Sequence, residues 1–387
     1  MQILPDRLLY PPDLMPPVSK EQCDRLLLWA VNEQRASDID FISDDPVWIQ
    51  VDGQWFLCTE LALSMAELNF LVESFAGGAQ QLGRIQGGKS VDFAYVLKVR
   101  EGFIRFRVNV TNTNKGPHIV MRALPQDLPL LEKMMLEPKL LGALYPPNGL
   151  IVVSGVMGSG KSTFLAAVLR KAIIEKGRQV LTLEEPIEFD FTTIPYEQRS
   201  APICQSGITQ HITSWADGVR TMTRRKAEIV LVGEARDRET LEAMLGTVET
   251  GVTAYCTVHA MDVPQTVTRI VNVFDEQEKS AISATLKASL RLIIHQRLVP
   301  RIRTEHDIKA GVPGRIALRE FLEFDEGVRR KLYRTAYGDL IPTIRDMVTK
   351  LGQPLVYDAE IKHKAGLISD ETLEAIQHEQ KSASETI

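Results

Sequence analysis

The segment Gly155-Val-Met-Gly-Ser-Gly-Lys-Ser-Thr163 constrains this chain more than any other, because it fits the pattern G-x-x-x-x-G-K-[ST] of a phosphate-binding loop. An apolar run over 150–154 precedes it, and a helical pattern over 161–176 follows it. Such a loop needs this strand–turn–helix context, because backbone amides at the helix N-terminus then face the phosphates. The sequence therefore predicts a nucleotide site in an α/β domain.

The residue types within the loop indicate its ligands. A lysine in the position of Lys161 neutralises the β- and γ-phosphate oxygens, and a hydroxyl in the position of Ser162 ligates Mg²⁺. We therefore expect ATP and Mg²⁺ to bind here. The loop residues predicted to contact them are Gly155, Gly158, Ser159, Gly160, Lys161, Ser162 and Thr163.

Polar residues follow three further apolar runs in the same half of the chain. They are Glu184 and Glu185 after 180–183, Glu234 after 228–232, and His259 after 253–258. Alternating strands and helices predict a parallel sheet, and the carboxyl ends of parallel strands share one edge. A surface salt bridge is the commoner role for any one of these side chains alone, but their convergence on the loop edge favours a site. Glu234 is the candidate for orienting or deprotonating an attacking water.

Composition excludes several other classes of protein. The chain has 387 residues, enough for two or three domains, and 45 basic against 50 acidic residues. This net charge of −5, with only 6% aromatic residues, argues against a protein that coats or stacks on nucleic acid. No apolar run approaches the ~20 residues of a membrane span, and the N-terminus has no secretory pattern. We expect a cytoplasmic multidomain protein without an integral membrane segment.

Changes of pattern along the chain predict five regions. Prolines mark an extended arm, 1–18, and a small α/β domain on an antiparallel sheet follows over 19–123, with a hairpin turn at Asp52-Gly53. A linker with an entry helix spans 124–149, the parallel-sheet domain spans 150–340, and a polar helical tail spans 341–387. Within the larger domain, the capping pair Asp275 and Glu278 predicts a long helix. Its apolar stripe would be Ile282, Leu286, Leu290 and Ile293.

Taken together, these motifs resemble those of the PilT-type secretion and traffic ATPases. The phosphate loop matches the family's Walker A segment, and Leu181-Thr-Leu-Glu-Glu-Pro-Ile-Glu-Phe189 resembles its Asp box, with Glu185 where an Asp is usual. Val230-Leu-Val-Gly-Glu-Ala-Arg-Asp237 is similar to its Walker B segment, and Thr257-Val-His259 to the end of its His box. The resemblance implies a RecA-like ATPase domain preceded by a PAS-like domain, in a homohexamer. It assigns catalytic roles to Glu234, Lys161, Glu185 and His259, nucleotide contact to Glu184, and Mg²⁺ binding to Ser162 and Glu185.

The N-terminal half resembles the family's PAS-like domain. Ser37-Asp-Ile-Asp-Phe41, Phe103-Ile-Arg-Phe-Arg-Val-Asn109 and Met121-Arg-Ala-Leu-Pro125 carry this likeness. In the family this domain lends arginines to the ATP of the same or a neighbouring subunit. By position these are Arg105, with a catalytic role, and Arg107 and Arg122 as nucleotide ligands. The alternative, three charges on a solvated sheet face, remains open.

Departures from the family pattern favour one branch of it. The segment before the Walker B strand is basic, Arg224-Arg-Lys226, where an acidic segment is usual, and no four-cysteine zinc site is present. With the long arm and tail, this resembles the DotB/TraJ branch, which serves Dot/Icm-type secretion or conjugative transfer. The resemblance implies inner-membrane secretion or conjugation proteins as partners, a location at the inner face of the cytoplasmic membrane, and no stable nucleic-acid binding. The alternatives are a type IV pilus retraction ATPase, a P-loop kinase and a DNA-dependent motor.

Overall fold

The computed structural model describes residues 8–11, 19–76, 78–99, 102–208, 211–309 and 312–385. The chain forms two compact units that meet in sequence between Asp127 and Leu128. Most of the predicted proline-rich arm lies outside the described residues. Of that arm, Leu8 and Tyr10 donate backbone hydrogen bonds of 3.0 and 2.8 Å to carbonyls at 57 and 58. In the described ranges no helix is both long and apolar enough to cross a bilayer.

The first unit is built on a six-stranded antiparallel sheet in the order β3-β2-β1-β6-β5-β4. The strands are β1 (Asp38–Ile42), β2 (Asp45–Val51), β3 (Gln54–Leu63), β4 (Val91–Val99), β5 (Gly102–Thr113) and β6 (Gly116–Ala123). The helices are α1 (Lys20–Asn32), α2 (Met65–Ala76) and α3 (Ala79–Gln86). The predicted antiparallel α/β fold of this region is confirmed.

Local signals account for two of these elements. Asp52 and Gly53 have φ angles of 50° and 85°, and this pair of positive angles makes the tight turn that joins β2 to β3. At α1, the Ser19 hydroxyl accepts a hydrogen bond of 3.3 Å from the amide of Gln22, which satisfies an otherwise unpaired donor. The hairpin and the helix start were both predicted from the sequence.

The second unit is built on a seven-stranded sheet in the order β13-β12-β7-β11-β10-β8-β9. The strands are β7 (Gly149–Ser154), β8 (Val180–Glu184), β9 (Ile203–Gly207), β10 (Ile229–Val232), β11 (Thr253–Val258), β12 (Leu290–Pro300) and β13 (Arg315–Glu323). The helices are α4 (Pro138–Ala143), α5 (Lys161–Glu175), α6 (Trp215–Arg224), α7 (Arg238–Glu249), α8 (Val263–Val271), α9 (Lys279–Ser289), α10 (Glu305–Lys309), α11 (Glu326–Tyr333), α12 (Leu340–Leu351), α13 (Leu355–Lys364) and α14 (Asp370–Glu385). Only the β12–β13 pair is antiparallel.

Parallel register places the predicted strand ends on one edge of this sheet. Ser154 at the end of β7 lies beside Val258 at the end of β11. Val232 at the end of β10 lies beside Leu183, one residue before the end of β8. Strands β7, β10 and β11 are buried along their whole length, as expected for a parallel sheet covered on both faces. The mostly parallel fold predicted for this half is confirmed.

The long helix predicted to begin at the capping pair Asp275 and Glu278 is wrong at its start and in its second half. Helix α9 begins at Lys279, and the side chains of Asp275 and Glu278 contact Arg238 instead. Helix α9 ends at Ser289, and residues from Leu290 onward form β12. In β12, Leu290 lies beside Leu150 and Ile294 beside Val153 of β7, so the strand is central in the sheet. An apolar run buried on both faces has no period that separates helix from strand, and the pairing with β7 decides the outcome.

The C-terminal helices are part of the second unit. Leu340, Ile344 and Met347 of α12 are fully buried in the same apolar cluster as Leu150 of β7. The Lys362 ammonium group of α13 donates a 2.6 Å hydrogen bond to a carbonyl of β13. The predicted helical tail is confirmed, and its first two helices contribute to the interior of this unit.

Candidate nucleotide site

The loop between β7 and α5 requires glycine at its two ends. Gly155, Gly158 and Gly160 have φ angles of 150°, 72° and 82°, which residues with a Cβ rarely adopt. A Cβ at Gly155 would lie 2.3 Å from the backbone oxygen of Gln296, and one at Gly160 would lie 2.9 Å from its side-chain nitrogen. The loop therefore packs directly against β12, with no room for side chains at these two positions.

Lys161 begins α5 and extends its side chain along the loop. Its ammonium group donates hydrogen bonds of 2.8 and 2.9 Å to the backbone oxygens of Gly155 and Val156. Burial lowers the pKa of Lys161, and the negative charges of Glu234 and Glu188 oppose that effect. A buried cation thus sits inside the glycine loop, with two carboxylates close enough to act on it.

The residues of the loop suit a phosphate ligand and a cation that a side-chain hydroxyl would coordinate. The Ser159 hydroxyl is buried and has no hydrogen-bond partner among the residues that the structure describes, so a polar group at the loop would satisfy it. Ser162 and Thr163 are exposed in the first turn of α5, at the end of a helix that favours anions. Hydroxyl and carboxylate oxygens are the ligands that Mg²⁺ prefers. The residues present therefore suit Mg²⁺ and a nucleotide phosphate chain.

Glu234 follows β10 and is held by two neighbours. Arg236 contacts both of its carboxylate oxygens, and His259 Nε2 lies 3.3 Å from Oε1. The side chain of Glu234 is 18% exposed, whereas that of Arg236 is 72% exposed. The structure thus joins the predicted ends of β10 and β11, and it adds an exposed arginine that the sequence analysis did not include.

Backbone contacts fix the turn that carries Glu234. The Gly233 amide donates a 2.7 Å hydrogen bond to the backbone oxygen of Leu183, and its own oxygen accepts one of 2.6 Å from the Thr257 hydroxyl. A Cβ at Gly233 would lie 3.2 Å from the same Leu183 oxygen. The ends of β8, β10 and β11 are therefore tied together at the point where their polar side chains begin.

Two neighbouring glutamates differ in their surroundings: Glu184 is the last residue of β8, and Glu185 follows it. Glu184 Oε1 accepts hydrogen bonds of 2.6 Å from the Thr182 hydroxyl and 3.1 Å from the Gln205 side chain, on the side of β9. Glu185 is exposed. The hydrogen bond with Glu234 raises the pKa of Arg236, and the charge of Glu185 adds to that effect. The charge of Glu188 raises the pKa of Lys161 against the effect of burial, but the sequence analysis did not include Glu188 among the site residues. Its position in the Glu-Glu-Pro-Ile-Glu segment could have indicated it.

The three predicted arginines lie on adjacent strands of the first unit. Arg105 and Arg107 share one face of β5, because residues two apart in a strand point the same way. Arg107 lies directly opposite Arg122 of β6, whose Nε donates a 2.7 Å hydrogen bond to the buried carboxylate of Asp38. Arg107 is exposed and Arg105 half-buried. The first unit thus brings three arginines together on one face of the sheet, one of them paired with Asp38.

A cavity of about 440 Å³ lies beside the loop in the second unit. His259 lines it together with the exposed loop residues Val156 and Met157. Polar residues of α8 and its C-terminal end line the other side; they are Gln265, Thr268, Arg269 and Asn272. His259 thus lies between the carboxylate of Glu234 and an open space lined by both polar and apolar residues.

The second unit is a P-loop nucleotide-binding domain of the RecA-like type. Its features are a buried, mostly parallel sheet, a glycine loop that leads into a helix, a lysine inside that loop, and carboxylates at neighbouring strand ends. Residues 91–351 match the family described as Type II/IV secretion system protein. The chain belongs to this family.

Individual relatives agree with that assignment. The type IV pilus retraction ATPase PilT of Pseudomonas aeruginosa is 30% identical over 298 residues, which cover 76% of this chain and 83% of that protein. The crystal structure of the Legionella pneumophila ATPase DotB has 33% identity and a TM-score of 0.84, covering 97% of this chain and all of that one. The structure of the pilus retraction motor PilT with bound ADP has 26% identity and a TM-score of 0.73, covering 90% and 95%. The predicted resemblance to PilT-like ATPases near DotB is confirmed.

Proposed function

We propose that the chain is the ATP-hydrolysing motor of a type IV secretion apparatus, of the Dot/Icm-like or conjugative kind, and that it works as a homohexamer. The observation that carries this proposal is the match to the DotB ATPase over 97% of this chain and all of that one, at a TM-score of 0.84. The match includes the C-terminal region as well as both units. A likeness confined to the P-loop would have supported nucleotide binding alone.

Type IV pilus retraction is the second candidate. It is supported by 30% identity to the P. aeruginosa retraction ATPase and by the fold shared with an ADP-bound retraction motor. The two candidates share the chemistry and differ in the assembly that the motor acts on. In the first case we expect the partners to be secretion or conjugation proteins of the inner membrane, with the ring at its cytoplasmic face.

The proposed reaction is in-line attack of water on the γ-phosphate of ATP. The loop amides and the Lys161 ammonium hold the phosphate oxygens, and the Glu234 carboxylate orients the attacking water and accepts its proton. His259, at 3.3 Å from Glu234, fixes the position of that carboxylate. Ser162 and Glu185 would hold Mg²⁺, which would supply positive charge to neutralise the phosphate oxygens.

The arginines complete the proposed site. Arg105, Arg107 and Arg122 would contact the phosphate chain of the same or a neighbouring subunit, and Arg105 would stabilise charge as the γ-phosphate departs. Their placement on one sheet face supports this role, because it puts three guanidinium groups on a single surface. Glu184 is the remaining proposed nucleotide contact.

Phosphate release by the purified chain tests the reaction. We expect hydrolysis of ATP with Mg²⁺, its loss with a chelator, and no requirement for an acceptor molecule or DNA. Transfer of phosphate to an acceptor would indicate a kinase instead, and strong stimulation by DNA would indicate a nucleic-acid motor. In the source organism, deletion of the gene should abolish secretion or conjugative transfer. Loss of pilus retraction alone would favour the second candidate.

A further inference from the structure

The phosphate loop is tied to β12 by a buried side chain that its own sequence motif does not include. Gln296 Nε2 donates a 2.6 Å hydrogen bond to the backbone oxygen of Ser159, and Gln296 is only 2% exposed. In a planar trans peptide, the carbonyl of one residue and the amide N–H of the next point in opposite directions. Holding the Ser159 oxygen on Gln296 therefore directs the Gly160 N–H away from β12.

Arg319 of β13 determines which way the Gln296 amide faces. Its Nε donates a 2.8 Å hydrogen bond to Gln296 Oε1. A rotated amide would place the Gln296 NH₂ group against this N–H donor and its oxygen against the Ser159 oxygen, so both contacts would become repulsive. The arginine thereby leaves Nε2 as the atom that faces the loop.

Arg319 is itself fixed from three sides. Its Nη1 donates a 3.1 Å hydrogen bond to the backbone oxygen of Met134, and its guanidinium carbon lies 5.1 Å from the ring centre of Phe164 in α5. Its backbone amide donates a 2.7 Å hydrogen bond to Asp358 of α13. Burial lowers the pKa of Arg319 to about 10, with Asp358 opposing, so the guanidinium stays charged at neutral pH.

Helix α13 contributes the last two residues of this buried hydrogen-bonded network, Asp358 and Lys362. The Lys362 ammonium group lies 2.5 Å from Asp358 Oδ2 and also donates to the Ala317 oxygen of β13. The C-terminal segment thus contacts the same β13 residue, Arg319, that orients Gln296. Five segments of the second unit, α13, β13, β12, the phosphate loop and α5, meet in one buried region.

We propose that Gln296 is a positioning residue of the nucleotide site, and that Arg319 sets its orientation. Gln296 touches no part of the phosphate chain; it holds the Ser159–Gly160 peptide so that the Gly160 amide is available to a phosphate oxygen. Loss of the hydrogen bond between Gln296 and Ser159 should therefore weaken nucleotide binding more than it destabilises the fold. The inference rests on the proposed function, because it assigns the Gly160 amide to phosphate binding.

The substitution Gln296→Met tests the proposal by removing the donor while keeping the length of the side chain. The affinity for Mg·ADP, measured by calorimetric titration, should fall roughly tenfold, the scale of one lost hydrogen bond. Tyr255→Phe is the matched control. Tyr255 is fully buried and donates a 2.5 Å hydrogen bond to the Leu144 oxygen in the same unit. Its neighbour in β7 is Ile151, which is not a loop residue. Tyr255→Phe should lower the melting temperature similarly and leave ADP affinity within twofold of wild type.

Gln296→Met leaves the buried Nε–H of Arg319 without its acceptor, and this could prevent folding. A double variant tests the proposal in that case. Gln296→Met with Arg319→Met removes the donor and its partner together, and it should show the same loss of affinity. The double variant should lose no more affinity than the single one, because Arg319 acts through Gln296. Wild-type affinity in either variant, or an equal loss in Tyr255→Phe, would overturn the inference. A wild-type chain that binds no nucleotide would instead refute the proposed function.

Discussion

Replacing Glu234 with Gln tests its role in ATP hydrolysis separately from its contribution to the stability of the fold. Glutamine keeps the shape of the side chain and one acceptor oxygen, but it removes the negative charge and the proton acceptor. We expect ATP hydrolysis to slow by ~10²–10⁴-fold, the usual range for loss of a general base. That factor corresponds to about 3–5 kcal/mol of transition-state stabilisation.

The surroundings of Glu234 indicate a much smaller effect on folding. Its ion-pair partner Arg236 is 72% exposed, and exposed pairs contribute at most about 1 kcal/mol. Glutamine can still accept a hydrogen bond from Arg236 or His259. Affinity for Mg·ATP should stay the same or rise, because the substitution removes a negative charge that acts on Lys161, where we propose that the phosphates bind. Lys161→Ala should behave differently and lose most of the binding.

Phosphate release and ATP affinity, measured side by side, check this prediction. Glu228→Gln is the control, because Glu228 precedes the same strand at its opposite end and accepts a 2.9 Å hydrogen bond from the Gln179 amide. It should hydrolyse ATP at close to the wild-type rate. Turnover in Glu234→Gln within a few-fold of wild type would refute the reasoning, and the water would then have to be held by Glu184 or Glu185. In mixed rings, Glu234→Gln subunits should inhibit their wild-type neighbours.

Three further predictions concern Arg105, the ring and the pH dependence of stability. Arg105→Ala should bind ATP almost normally and lose ~10³-fold in turnover, as an arginine finger does; activity within a few-fold of wild type would identify a solvated charge. Light scattering with a non-hydrolysed ATP analogue should detect six 43.3 kDa chains, about 260 kDa, and a monomer under those conditions would exclude the ring. Burial raises the pKa of Glu320 from 4.5 to about 7, so between these pH values the folded protein retains a proton that the unfolded chain releases. This group alone should lower the free energy of unfolding by about 3 kcal/mol as the pH rises through that window. The buried His295 contributes in the opposite direction, because burial lowers its pKa to about 4. Thermal melts should therefore show that the stability of wild type relative to Glu320→Gln declines across this pH window, since His295 contributes equally to both proteins.

The sequence alone was sufficient for the features that depend on local pattern. Glycine spacing and the flanking apolar runs predicted the phosphate loop, because backbone angles and helix starts are set by neighbouring residues. Asp52-Gly53 predicted the β2–β3 turn for the same reason. The positions of Glu234 and His259 after apolar runs were enough to place them on one edge, since the ends of parallel strands must align.

Other features depend on which strands become neighbours in the sheet, and these were determined only by the tertiary structure. The run from Leu290 fits a helix or a strand equally well, and only pairing with β7 makes it β12. That pairing brings Gln296 to the loop residue Ser159, 137 positions earlier in the chain, and places Arg319 beside it. No local period encodes such contacts, because their energy arises from burial and hydrogen bonding between segments that meet only in the folded sheet. The loop was therefore evident in the sequence, whereas the residues that hold it in place emerged from the fold.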